Sequence, residues 1–506
     1  MCGKIVLMRW AMSGMGRYGC RLAGGGMILL FFVLLLFRFG IPEKMMVEKE
    51  RALAPIPSLP TEGESWMKIT QQNRKIGYAH RNHIRTENGF HFSERIFMRI
   101  NTMGIVQPLT VRTDADLKPD RTLAGFQFEL GSNLFRFTAQ GSLSGKKLTV
   151  RIGGPGEEKV SVIEISEAPY LGTGILESLG AADLRTGEER SYPVFDPASL
   201  GQRPVQVTLL GDETLRVMGE SRQARKLSVD FMGMKQIAWV DPSGAVLREE
   251  GILGIALERV SREEALAGME GAVSADLTEI AAVPVSTPIG DPAALRRLKI
   301  RISGIPAGSF DLDGGRQVYR DDVLTVQREP FAASTSPTGN DPGELSVFLR
   351  SSPFIQSDHP DIRRKLAEIL RPEEPDVVKA QKIVRWVYTN VEKRPVLSVP
   401  NALETLANRI GDCNEHAVLL AAFSRAAGIP ADVETGIVYM RGRFLYHAWN
   451  ILYLSDRGGW VTADAVLGEM PADVTHIRFI RGGADRQLDL AGLIGRLKLE
   501  VLEMER

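Results

Sequence analysis

A multidomain chain is predicted: an N-terminal membrane helix, a large and mostly antiparallel β domain, and a C-terminal α+β domain. Three observations predict it. The chain has 506 residues, and at roughly 100–200 residues per domain that is two to four cores. Residues 22–37 are an uncharged apolar run. Patchy period-2 alternation with hairpin signals fills the first half, and helical periodicity replaces it after residue 355.

Composition narrows the class. Apolar residues are 44% and charged residues 25% of the chain, which is ordinary globular protein and excludes wholesale disorder, collagen-like repeats and a multi-span transporter. Sixty-two basic residues balance sixty-two acidic ones, so nothing argues for a nucleic-acid partner. The three cysteines, Cys2, Cys20 and Cys413, are too few for a disulfide framework.

The elements follow in chain order. Lys4, Arg9, Arg17 and Arg21 precede any acidic residue, the first of which is Glu43. With residues 1–21 cytoplasmic, residues 22–41 reach roughly 30 Å as a helix, about one bilayer core. No small-x-small cleavage site follows, and Cys20 lies before the apolar run, not after it. An uncleaved anchor is therefore expected ahead of a cleaved signal, with the bulk of the chain outside the cytoplasm. Residues 42–61 carry Pro55, Pro57 and Pro60 and read as a stiff linker.

Residues 62–280 read as the antiparallel β domain, a large curved sheet or open barrel of eight or more strands. Hairpin signals stand at Ser144-Gly145, Gly211-Asp212 and 241–244. One helical insert is expected around 169–184. Residues 293–350 form a β-rich connecting segment with strands at 298–303 and 322–327 and a loop at 332–343. Helices are then expected at 361–370, from Pro375 with a stripe of Ala380, Ile383, Val384, Val387 and Val391, and from Ala402.

The chemistry concentrates late in the chain. Leu419, Ala422, Phe423 and Ala426 recur at helical spacing, and Gly428-Ile-Pro430 is a stop signal. Cys413 thus falls in the first turn of an apolar helix, where free N–H groups and the dipole favour a thiolate and a low thiol pKa. Strands at 433–440, 445–454 and 460–465 follow as a meander. His447 shares one face with Trp449, Ile451 and Tyr453, and Asp464 shares one with Thr462. A helix N-terminal Cys, a strand His and a neighbouring Asp are a thiol nucleophile, its base and the base's orienter. Simple pairing across a five-residue loop misses direct opposition of His447 and Asp464 by about three residues, so a bulge or shorter loop is required.

Gly411-Asp-Cys-Asn-Glu-His-Ala417, Tyr446-His-Ala-Trp-Asn450 and Gly459-Trp-Val-Thr-Ala-Asp464, in this order and spacing, resemble the three core motifs of bacterial transglutaminase-like proteins. The resemblance covers residues 355–485. It implies a papain-like α+β core with Cys413 as nucleophile, His447 as general base and acid, and Asp464 as the imidazole's partner. Relatives often have Asp-Pro where this chain has Asp464-Ala465. The zinc-binding cysteine pairs of one branch, and the β-barrels and calcium segments of animal crosslinking enzymes, are not recognisable in the sequence.

These readings lead to an envelope thiol enzyme that transfers or hydrolyses acyl groups of amide or peptide bonds, with hydrolysis standing beside crosslinking. The substrate is a protein or peptide; no cofactor and no metal are expected. The alternative is a non-catalytic envelope assembly or binding protein with a relic triad and a ligand-binding β domain that engages an envelope protein. His416 is a rival base, or half a metal site with Glu415. Trp386 or Asn401 could serve an oxyanion hole, against plainer roles in core and cap.

Overall fold

The computed structural model describes residues 63–506 except 154–158, 173–174, 177–183, 232–233, 306–309, 330–341 and 483–487. The expected anchor, its cytoplasmic flank and the linker lie outside the described residues, as do most of the 332–343 loop and much of the 169–184 insert. Among the described residues no helix is long and apolar enough to cross a membrane.

Fifteen strands between Gly63 and Val260 form one sheet. Hairpin follows hairpin from Gly63–Gln71 out to Lys159–Glu164 at one edge. On its other side Gly63–Gln71 pairs antiparallel with Ile255–Val260, and a second run of neighbours ends at Tyr170–Leu171, the one parallel contact. Alternation buries one face of these strands, as period 2 requires. The sheet curls on itself, so strands from opposite halves share a core. Phe126 and Phe195 place ring centroids 5.4 Å apart, and the Leu123 N–H donates to the Pro169 carbonyl at 2.8 Å.

Two hairpin signals mark turns, and one does not. Gly145 adopts φ 59° between Arg136–Ser144 and Lys147–Ile152. The Asp241 carboxylate accepts the Ser243 and Ala245 N–H groups at 2.9 and 3.0 Å and closes the turn there. Gly211-Asp212, in contrast, lies inside a single strand, Gly201–Val217, as a register shift between Leu209 and Gly211. The turn comes at Met218-Gly219, with φ 52° and 83°. A glycine that bulges a long strand and one that turns it carry the same local signal; the cross-strand register decides.

A second sheet of four strands contains Arg297–Ser303, Gln317–Arg320 and Val323–Gln327. Its edge is Lys498–Glu505, so the C-terminal strand completes the connecting segment.

The remaining chain is an α+β layer. Its helices are α1 (Pro360–Ile369), α2 (Asp376–Asn390), α3 (Ala402–Asn408) and α4 (Cys413–Ala426). Its strands are β1 (Ala431–Met440), β2 (Arg443–Leu454), β3 (Gly459–Ala463) and β4 (Ile477–Arg481). β2 pairs with β1 and β3, and β1 pairs with β4, all antiparallel. The expected stripe on α2 is buried: Ala380, Ile383, Val384 and Val387 pack with Leu419, Ala422 and Phe423 of α4 and with Ala448 and Leu452 of β2. α4 is thus enclosed between helices and sheet, which holds its N-terminus against the strand face.

Candidate active site

α4 begins where it does because Asp412 and Glu415 form a capping box. The Asp412 carboxylate accepts the Asn414 N–H at 2.9 Å, and the Glu415 carboxylate accepts the Asp412 N–H at 3.0 Å. The other Glu415 oxygen accepts from the Ser398 hydroxyl. Gly411 is required by this return, since a Cβ there would sit 2.2 Å from Glu415 Cβ. Cys413 is the first helical residue, where N–H groups lack intrahelical partners.

His447 lies on β2 directly opposite Gly436 of β1. Asp464 directly follows β3. Asn450 pairs with Ala463, which carries Asp464 opposite Trp449, two residues along from His447. A four-residue connection in place of the expected five removes part of the offset, and side-chain reach covers the rest. The Asp464 carboxylate accepts from His447 Nε2 at 2.7 Å, which leaves His447 Nδ1 for a second partner. Cys413 and His447 line one cleft of about 460 Å³, together with Thr435 and Tyr446 of the sheet, the loop at 396–400 and the turn at 490–494. Leu130, Ala198 and Ser199 of the large sheet also line it. Asp464 is behind His447 and fully buried.

A second histidine also reaches Asp464, one that no motif marks. His476 Nε2 lies 3.0 Å from the same Asp464 oxygen, and its Nδ1 lies 3.3 Å from Asp473. Both ring nitrogens face carboxylates, so both carry protons and the ring is an imidazolium. Fully buried between two anions, it titrates near 9: burial opposes the charge, and the hydrogen bonds to Asp464 and Asp473 outweigh it. The other Asp464 oxygen accepts the Val466 and Leu467 N–H groups at 2.6 and 3.2 Å. Although burial raises the Asp464 carboxyl, the two histidines hold it well below the usual range. Trp449 closes over the cluster, its ring edge-on to His476 at 5.2 Å, and donates Nε1–H to buried Glu434 at 3.0 Å. The nearest signal in the sequence was Asp473-Val-Thr-His476, and it has no spacing that points back to Asp464.

The ligand atoms of His447, Asp464 and His476 lie within 4.8 Å of one another, as do those of Glu469, Asp473 and His476. In the first group the separations of 2.7 and 3.0 Å are hydrogen-bond lengths, each bridged by a proton.

The expected low thiol pKa is corrected. Burial is the largest influence on Cys413 and pushes the thiol well up; the Asp412 and Glu415 carboxylates push the same way, and only the Ala448 N–H opposes them. Asp412 caps the helix by placing a carboxylate beside the sulfur, and this opposes the dipole.

The remaining candidates fall into structural places. His416 is buried, and its Nδ1–H donates to the Asp412 carbonyl at 2.7 Å; burial lowers its pKa. Asn401 caps α3, accepting the Leu403 N–H at 3.0 Å. Trp386 stands edge-on to Phe423 at 5.4 Å. None of the three lines the cleft.

Residues 363–465 match the sequence model of the transglutaminase-like superfamily. The chain carries a transglutaminase-like domain. The match begins in α1 and ends just past Asp464, so it takes in Cys413, His447 and Asp464 and stops short of His476. No curated protein matches the chain. Among solved structures, a β-barrel-like protein of unknown function from Brucella abortus is 12% identical over 40% of this chain and 98% of its own, with a TM-score of 0.33. A candidate cysteine protease from Cytophaga hutchinsonii is 18% identical over 41% of this chain and 86% of its own, with a TM-score of 0.26. A candidate protease from Parabacteroides distasonis is 12% identical, covering 65% of this chain and 64% of its own, with a TM-score of 0.19.

Proposed function

We propose that this chain is a thiol enzyme of acyl transfer or amide hydrolysis, anchored in the cell membrane by residues 22–41 and acting on a protein or peptide outside the cytoplasm. The observation that carries the reading is the pairing of His447 Nε2 with Asp464 in a cleft that also holds Cys413 at a helix N-terminus. Cys413 Sγ attacks the substrate carbonyl carbon while its proton passes to His447 Nδ1, the nitrogen that Asp464 leaves free. Charge that develops on the carbonyl oxygen meets first-turn N–H groups of α4. The tetrahedral adduct collapses, the C–N bond breaks, and His447 returns the proton to the leaving amine. Water or an amine then attacks the thioester, again giving up a proton to His447, and frees the thiol. Asp464 holds the tautomer throughout and supports the imidazolium as it forms.

A thiol pushed up by its surroundings suits this order of events, in which proton transfer accompanies attack instead of preceding substrate binding. The same raised thiol fits the second reading, a binding protein whose thiol takes no part in chemistry. One experiment separates them. A panel of peptide and glutamine amides is incubated with the full chain, with Cys413→Ala and with His447→Ala. Turnover lost in both variants supports the enzyme; turnover that persists in either one overturns the role of that residue, and turnover that never occurs supports the binding protein. Protease added to spheroplasts tests the topology: digestion of the chain past residue 61 is expected, and protection of that region overturns the orientation.

A further inference from the structure

Two hydroxyls in the cleft have no hydrogen-bond partner among the described residues, those of Thr435 and Tyr446. Thr435 is only 4% exposed, and both residues line the cleft beside Cys413. Thr435 lies directly across from Ala448, and Tyr446 across from Ile437. Cross-strand partners and alternate residues share a sheet face, so both side chains stand on the face that carries Ala448, where Tyr446 packs against the core around Ile437 and Phe444. A buried hydroxyl without a partner is uncommon in a folded chain, and here two belong to residues that line the same cleft as Cys413. Each can donate to a carbonyl and accept from an amide N–H.

The rest of the wall states what surrounds that polar group. Leu130, Val396, Val399, Pro400, Leu490 and Ile494 make it apolar. No Lys or Arg is among the described lining residues, and the Asp412 carboxylate is at the mouth of the helix. An anionic ligand would meet repulsion with no counter-charge; an uncharged apolar group carrying an amide would satisfy both hydroxyls and the wall.

We infer that the cleft is an acyl-group subsite for uncharged, apolar residues, in which Thr435 and Tyr446 read one amide or carbonyl group of the ligand and acidic residues are turned away. This rests on the proposed thiol chemistry and specifies its substrate class.

The test does not depend on turnover. The full-length protein is alkylated with N-butyl-iodoacetamide or with iodoacetate, and the rate at Cys413 is read from its peptide by mass spectrometry. The same peptide in the urea-unfolded chain supplies the intrinsic ratio of the two rates. In the folded chain the ratio is expected to favour the apolar amide at least tenfold more. Thr435→Val and Tyr446→Phe, which remove only the hydroxyls, should each slow N-butyl-iodoacetamide severalfold and leave iodoacetate unchanged. A folded-state ratio equal to the unfolded one overturns the subsite. So does an equal loss on both reagents in the variants, which marks a merely structural role, or a thiol that reacts with neither reagent until unfolded. Failure of amide turnover with the ratio intact would remove the catalytic reading and leave the subsite; turnover without the ratio would do the reverse.

Discussion

At the scale of single residues, the site is a chain of protons running from His447 through Asp464 and His476 to Asp473. His476 makes this arrangement pH-dependent. Its folded pKa, near 9, is raised above the ordinary histidine value. Its contribution to stability is thus fully present below about pH 6.5 and is lost as the pH rises through 9. Urea denaturation of the full chain should lose on the order of 3 kcal/mol between pH 6.5 and 9.5 from this group. His476→Gln should be less stable at pH 6 and should flatten the profile in that window; an unchanged slope would refute the imidazolium. His416 supports the helix and has no role in proton transfer. His416→Ala should cost about 2 kcal/mol, through a lost buried hydrogen bond and a cavity. Relative to the wild type it should leave alkylation of Cys413 at neutral pH unaltered. A collapse of that reactivity would make His416 the base.

At the scale of elements, the start of α4 does two things that conflict. Asp412 supplies the cap, and its charge raises the thiol it positions. Asp412→Asn keeps a capping side chain and removes the charge, so stability should change by only a few tenths of a kcal/mol. The alkylation midpoint of Cys413 should fall; a midpoint that stays or rises would show that the carboxylate is not what opposes the thiolate. The β1–β4 contact is set by Gly436, opposite His447. A Cβ at this position would lie 1.9 Å from the Ile477 carbonyl oxygen. Gly436→Ala must therefore push β4 away, at about 1–3 kcal/mol with the upper end expected because the obstacle is backbone. Since β4 follows His476 directly, the same variant should lower amide turnover. A variant that melts at the wild-type temperature would mean that the strands separate freely there.

At the scale of the molecule, the large sheet and the transglutaminase-like domain share a wall. Gln107 Nε2 donates to the Pro395 carbonyl at 2.9 Å, and the Phe137 and Phe354 rings lie 6.2 Å apart. Leu397 packs into one core of the sheet and Val399 into another. Ser398 between them lines the cleft, so the sheet backs that wall of it. A fragment of residues 282–506 should melt at a lower temperature, bind a hydrophobic dye and lose the preference of Cys413 for apolar amides. A fragment that keeps both melting temperature and preference would show the sheet to be dispensable to the site.

The sequence by itself determined whatever depends on neighbours in the chain. Cys413 at the start of α4 follows from the apolar spacing of 419–426 and its stop signal. The buried stripe of α2 follows from a 3.6 period, and the faces of β2 and β3 from a period of 2. These are local consequences of backbone geometry, and the three motifs around Cys413, His447 and Asp464 lie inside them. Tertiary structure alone decided what depends on register and on chain return. It made Gly211 a bulge, moved Asp464 across from Trp449, and brought Lys498–Glu505 beside Arg297–Ser303. It folded the segment after Asp464 back so that His476 could share the carboxylate, and it set Asp412 close enough to raise the thiol it caps. Hydrogen-bond partners and desolvation arise between distant segments, and no period in the chain encodes their distances. The β-rich region, the transglutaminase-like domain and the place of Cys413 at the start of α4 could therefore be read from the sequence, whereas the hydrogen bonds and burial around these residues could not.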